Sequence, residues 1–139
     1  MAYGNGSLIE KYQEQAIGTL SQGELIVRLY DEMIKNLKYA STLFPTNADA
    51  AQKCSKKCRN ILNYLIVILN GKYDLSTRLG KIYSHMIGQI ILTEATGDTS
   101  HIDAIVPQLE DLRSAWAEAE KQLRATTGGA SPAAARPRP

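Results

Sequence analysis

At 139 residues the chain is long enough for one domain with a buried core and too short for two comfortable ones. Lysine and arginine total 16 against 14 acidic residues, and two of the arginines, Arg136 and Arg138, fall in a terminal stretch, so the folded part is nearly neutral. That balance argues against a dedicated nucleic-acid binder, which concentrates cations on one face to capture phosphates.

Residues 1–20 read as an arm. Its opening, MAYGNGSLIEKYQ, has no basic start followed by an apolar run of signal-peptide length. No later stretch approaches the roughly eighteen apolar residues of a membrane span, so a cytosolic protein without membrane insertion is expected. Leu8 or Ile9, Tyr12 and Ala16 share a face at helical spacing. This predicts either a short amphipathic helix, which needs a surface to lie on, or a frayed terminus.

Ser21 and Glu24 have the spacing of a capping box, in which each side chain satisfies an orphan backbone donor, and they predict a helix that starts there. Its apolar positions, Ile26, Tyr30, Met33, Leu37, Ala40 and Phe44, advance by threes and fours and lay one seam along it. Pro45, Thr46 and Asn47 break the chain, and Asn47 is a good cap for a second helix from about Ala48 to Leu69. The seam of that helix is Ala51, Cys54, Cys58, Ile61, Leu65 and Ile68. Asn70 and Gly71 stop it, since both tolerate the left-handed conformation. Asp74 caps a third helix, from Leu75 to about Ala95, with Leu79, Ile82 or Tyr83, Met86 and Ile90 inward and Gly97 at its end. Asp98 to Ser100 restart the chain for a fourth, carrying Ile102, Ile105, Leu109, Leu112, Trp116, Ala119 and Leu123. Pro107 interrupts that series, and an interior proline removes a hydrogen bond and kinks a helix or delays its regular start. From Thr126 the sequence TTGGASPAAARPRP has nothing to bury and is expected to be disordered.

Four helices joined by short connections run antiparallel to their neighbours. The predicted fold is all-α, an antiparallel up-down four-helix bundle with left-handed packing over residues 21–125, preceded by the arm and followed by the tail from 126 to 139.

The informative departure from a plain bundle is ILNYLIVIL, residues 61–69, in which Asn63 is the strongly polar residue. A helix facing one core needs only part of its circumference apolar, so other faces of this one need cover. Leu62, Ile66 and Leu69 are expected beside the seam, with Leu25 and Leu29 on the first helix and Ile87 and Ile91 on the third placed similarly. Either these form a broad buried face or a homodimer contact, or they form a hydrophobic groove for an amphipathic helix of a partner.

An enzyme is not expected. Di-iron bundles place glutamate three residues before histidine, whereas Ile82 precedes His85 and Asp98 precedes His101 at a helix cap. Cys54 and Cys58 have no second pair of ligands to complete a metal site, and their aim does not suit a disulfide, so reduced thiols and no metal or cofactor are expected. Lys53, Lys56, Lys57 and Arg59 form a basic cluster that reads chiefly as a solvated face, with contact to a nucleic acid or an acidic partner as the lesser alternative.

Taken together, these residues resemble the flagellar export chaperones of the FliS family. The resemblance runs over residues 1–123: Tyr12, Thr19, Ser21, Glu24 and Leu25, then Leu29, Tyr30 and Asp31. It resumes at Ile61, Leu62, Asn63, Leu65 and Leu69, continues through Leu79, Tyr83, Met86, Ala95 and Asp98, and closes with Leu112, Arg113 and Trp116. Gln22 stands where the family usually has proline, Glu32 where it often has glycine, and Leu20 where alanine is usual. Proline suits a first helical position without being required there, so the fold expectation is unaffected.

The resemblance implies a cytoplasmic, non-enzymatic chaperone that binds the disordered C-terminal segment of flagellin and passes it to the flagellar export apparatus. It also implies that the N-terminal stretch with Leu8, Ile9 and Tyr12 contributes to partner binding as a lid. The expected partner-binding set is therefore Leu8, Ile9, Tyr12, Leu25, Leu29, Leu62, Ile66, Leu69, Tyr83, Ile87 and Ile91. The alternative is a helical adaptor that uses the same groove for a regulatory protein such as an anti-sigma factor.

Overall fold

The computed structural model describes residues 21–71 and 76–126. Within them lie four helices: α1 (Gln22–Leu43), α2 (Ala48–Leu69), α3 (Ser76–Thr96) and α4 (Ser100–Thr126). The arm with Leu8, Ile9 and Tyr12, the expected cap Asp74 with Leu75, and the tail beyond Thr126 fall outside the described residues.

Local chemistry sets the helix ends. The Ser21 hydroxyl accepts from the Glu24 backbone N–H at 3.1 Å while the Ser21 N–H donates to the Glu24 carboxylate at 2.9 Å, completing the capping box. Asn47 caps α2 by accepting from the Ala50 N–H at 3.2 Å. Gly71 and Gly97 take positive φ, 75° and 77°, where the chain leaves α2 and α3 and a Cβ would be strained. The Asp98 carboxylate accepts the Ser100 N–H at 3.0 Å at the start of α4. That bond, the Ser100 side chain and nearby His101 hold the Asp98 carboxyl below its usual range.

Each helix packs against its neighbours in sequence, and α1 and α4 close the ring. The α1–α4 contact is laced by polar pairs: Ser21 with Glu120, Glu24 with Arg124, Asp31 with Arg113, Lys38 with Glu110 and Ser41 with Asp103. From Glu24 to Ser41 the partner numbers on α4 fall from 124 to 103, so the two helices are antiparallel. The Arg113 guanidinium grips Asp31 in a fork, at 2.8 and 3.3 Å. The fold is the all-α bundle the periodicity predicts, and Ile26, Tyr30, Met33, Leu37, Ala40 and Phe44 are all buried in it.

Two details differ from expectation. α4 is helical straight through Pro107. The bond that position 107 would have donated to the Asp103 carbonyl is missing, but both residues are exposed and water can serve that carbonyl. The inward series of α4 also ends sooner: Ile102, Ile105 and Leu109 are buried, Leu112 and Trp116 half-buried, Ala119 and Leu123 exposed. The Ser21–Glu120 bond sets the start of α1 level with Glu120, so Leu123 lies about one turn past it.

Candidate partner-binding surface

The apolar half of α2 distributes its side chains over three directions. On the flank toward α3, Ser55 and Arg59 both donate to the Glu94 carboxylate, at 2.5 and 3.0 Å. Ile66 is two turns on from Arg59 and shares that flank, while Ile87 is two turns before Glu94 on the matching flank of α3. Both isoleucines are half-buried against the core. Ile91, one turn from Ile87, is 49% exposed, and Val67, next to Ile66 and pointing outward, is 72% exposed. Ile66, Val67, Ile87 and Ile91 thus form an apolar strip along the outside of the α2–α3 contact.

The remaining expected residues lie elsewhere. Leu62 and Leu69 do not flank the seam but are part of it, fully enclosed with Ile61 and Leu65. Tyr83 is enclosed as well. Leu25 and Leu29 lie on the α1 flank opposite the one that Asp31, Lys38 and Ser41 turn to α4, which is the side toward α2. They are buried there, Leu29 completely. α2 therefore stands between Leu25 and Leu29 on one side and Ile87 and Ile91 on the other, and the described surface does not join them into one open groove. The run at residues 61–69 is accordingly covered mostly by two neighbouring helices, with Val67 left to solvent.

Beneath the strip the core has a polar centre. The hydroxyls of Tyr30 on α1 and Tyr83 on α3 meet at 2.6 Å across the bundle. Burial pushes both phenols above their usual range, and hydrogen bonding from Trp116 to each offsets this only in part. They are neutral hydroxyls that tie α1, α3 and α4 together. Burial likewise pushes the Cys58 thiol up, so it is a small core residue while Cys54 is half-buried.

Periodicity missed Val67, because it falls on the back of the seam where a polar residue is the norm; its apolar character there was the available signal. Of the basic cluster, Arg59 is bound to Glu94 while Lys53, Lys56 and Lys57 are exposed. Among the described residues, no helix is long and apolar enough to cross a membrane. The surface combines apolar area at Val67 and Ile91 with exposed lysines on α2 and α3.

The family described as flagellar protein FliS matches residues 5–123. The flagellar secretion chaperone FliS of Bacillus subtilis (strain 168) is 28% identical over 123 residues, covering 85% of this chain and 92% of the relative. That of Escherichia coli (strain K12) is 28% identical over 109 residues, covering 76% of this chain and 80% of its own length.

Proposed function

The chain belongs to the FliS family of flagellar proteins, and from that premise we propose that it is a flagellar secretion chaperone whose client is the disordered C-terminal segment of flagellin. It acts in the cytosol, without catalysis, and hands its client to the flagellar export apparatus. The supporting observation is the strip of Ile66, Val67, Ile87 and Ile91, apolar area left outside a bundle whose core is already complete.

A segment that buries apolar residues in the finished filament would self-associate early if free. Held as helix against this strip, the same residues are masked. The cost of ordering the segment offsets part of the contact energy, which keeps binding reversible and allows release for export. Leu62, Leu69 and Tyr83 support the surface from beneath, Leu25 and Leu29 hold α2 in place from the α1 side, and Leu8, Ile9 and Tyr12 of the arm are proposed to compete with the client as a lid.

The test is titration of the full chain with roughly the last forty residues of the host's flagellin, followed by far-ultraviolet circular dichroism. Saturable binding with a gain of helix beyond the sum of the components is expected. Absence of both would sink the proposal.

A further inference from the structure

The two sides of the bundle carry charge differently. On α1 and α4 the cations are largely held in ion pairs: Lys35 by Glu32, Lys38 by Glu110, Arg113 by Asp31 and Arg124 by Glu24. On α2 and α3, Arg59 is held by Glu94. Lys53, Lys56, Lys57, Arg78 and Lys81 are exposed there and have no carboxylate partner among the described residues. Those two helices contain only Asp49 and Glu94 as acids, and Glu94 is already engaged.

These cations add no ion pair to the bundle among the described residues. Lys53 precedes Lys56 and Lys57 by three and four residues, the spacings at which like charges on a helix repel. The cations instead bracket the apolar strip. Lys56 stands about 16 Å along the axis before Val67, and Lys81 about 15 Å before Ile91. Because α2 and α3 are joined by a short connection and run in opposite directions, the α2 lysines lie at one end of the strip and Lys81 at the other.

We propose that this surface docks an amphipathic helix whose apolar face meets Ile66, Val67, Ile87 and Ile91 and whose ends carry carboxylates that pair with Lys56 and Lys81. The inference rests on the reading of the strip as a helix-docking surface and adds to it the chemistry of the occupant: an acidic segment. Exposed charges at the rim of an apolar contact speed encounter and reject partners of the wrong sign, and salt screens them. An acidic helix would also relieve the repulsion among the lysines.

Two synthetic peptides of about 20 residues, sharing one i, i+3, i+4, i+7 apolar face and carrying glutamate or lysine elsewhere, separate the possibilities. Titrated into the full chain at low salt, the glutamate peptide is expected to bind about tenfold tighter, with the preference shrinking at high salt. Lys56→Glu combined with Lys81→Glu should largely abolish the preference, whereas Val67→Ser with Ile91→Ser should weaken both peptides. Equal binding of the two at low salt, or a preference indifferent to the lysine reversal, overturns the inference.

The flagellin segment, run alongside, distinguishes the two readings. If it binds with no dependence on salt or on Lys56 and Lys81, the client reading stands and the acidic-helix inference fails. If it does not bind while the glutamate peptide behaves as expected, the surface is an acidic-helix site with another client.

Discussion

A tyrosine hydroxyl inside an apolar core costs stability unless a polar group meets it, and Tyr30 and Tyr83 meet each other. Their bond joins helices that stand across the bundle, a contact that apolar side chains alone would leave unspecific. Replacing Tyr83 with phenylalanine strands most of the hydrogen-bonding capacity of Tyr30 and is expected to cost about 1–2 kcal/mol in urea unfolding. The double variant Tyr30→Phe with Tyr83→Phe should cost less than the two single changes together, because the shared bond is lost only once, although the Trp116 indole N–H then loses both its acceptors. Strict additivity would show that the hydroxyls do not act as a pair. Neither residue announced this role: the sequence placed Tyr30 in the seam and left Tyr83 as an alternative to Ile82, since a phenol suits a core or a boundary and periodicity does not choose.

Among the elements, α1 was the most legible and α4 the least. Ser21, Glu24 and a seam in steps of three and four specify α1 locally, so its start and its buried face both follow from residues near in sequence. For α4, Pro107 left open a kink or a delayed start, and the helix instead absorbs it on its solvent side. An interior proline nonetheless removes a backbone bond, so Pro107→Ala should raise stability by about 1–3 kcal/mol and increase the Tm. A Tm that stays put or falls would mean that a local bend at this position is needed for packing. The end of the α4 seam was illegible for a different reason: Ala119 and Leu123 keep the period, but a residue is buried only where another element reaches it.

At the scale of the whole molecule, packing decides which apolar residues hold the fold and which are left for a partner. Leu29 and Met33 are both fully enclosed, and Val67 and Ile91 are not. Met33→Ala is expected to cost about 2–5 kcal/mol. Leu29→Ser should be at least as costly, since it adds a stranded hydroxyl to a cavity. Val67→Ser with Ile91→Ser should leave the unfolding midpoint nearly unchanged and weaken binding of the flagellin segment; a large loss of stability with unchanged binding would reverse the assignment of the two faces. The sequence by itself determined four helices, the caps at Ser21 and Asn47 and the inward seams up to Leu109 on α4, because those depend on chain neighbours and on the 3.6-residue period. Only the tertiary structure decided that α2 separates Leu29 from Ile87, that Leu62 and Leu69 lie inside, and that Val67 is left outside between lysines that have no carboxylate partner among the described residues. The reason is physical: a helix presents all its faces in the sequence alike, and exposure is set by the neighbours that the folded chain places around it.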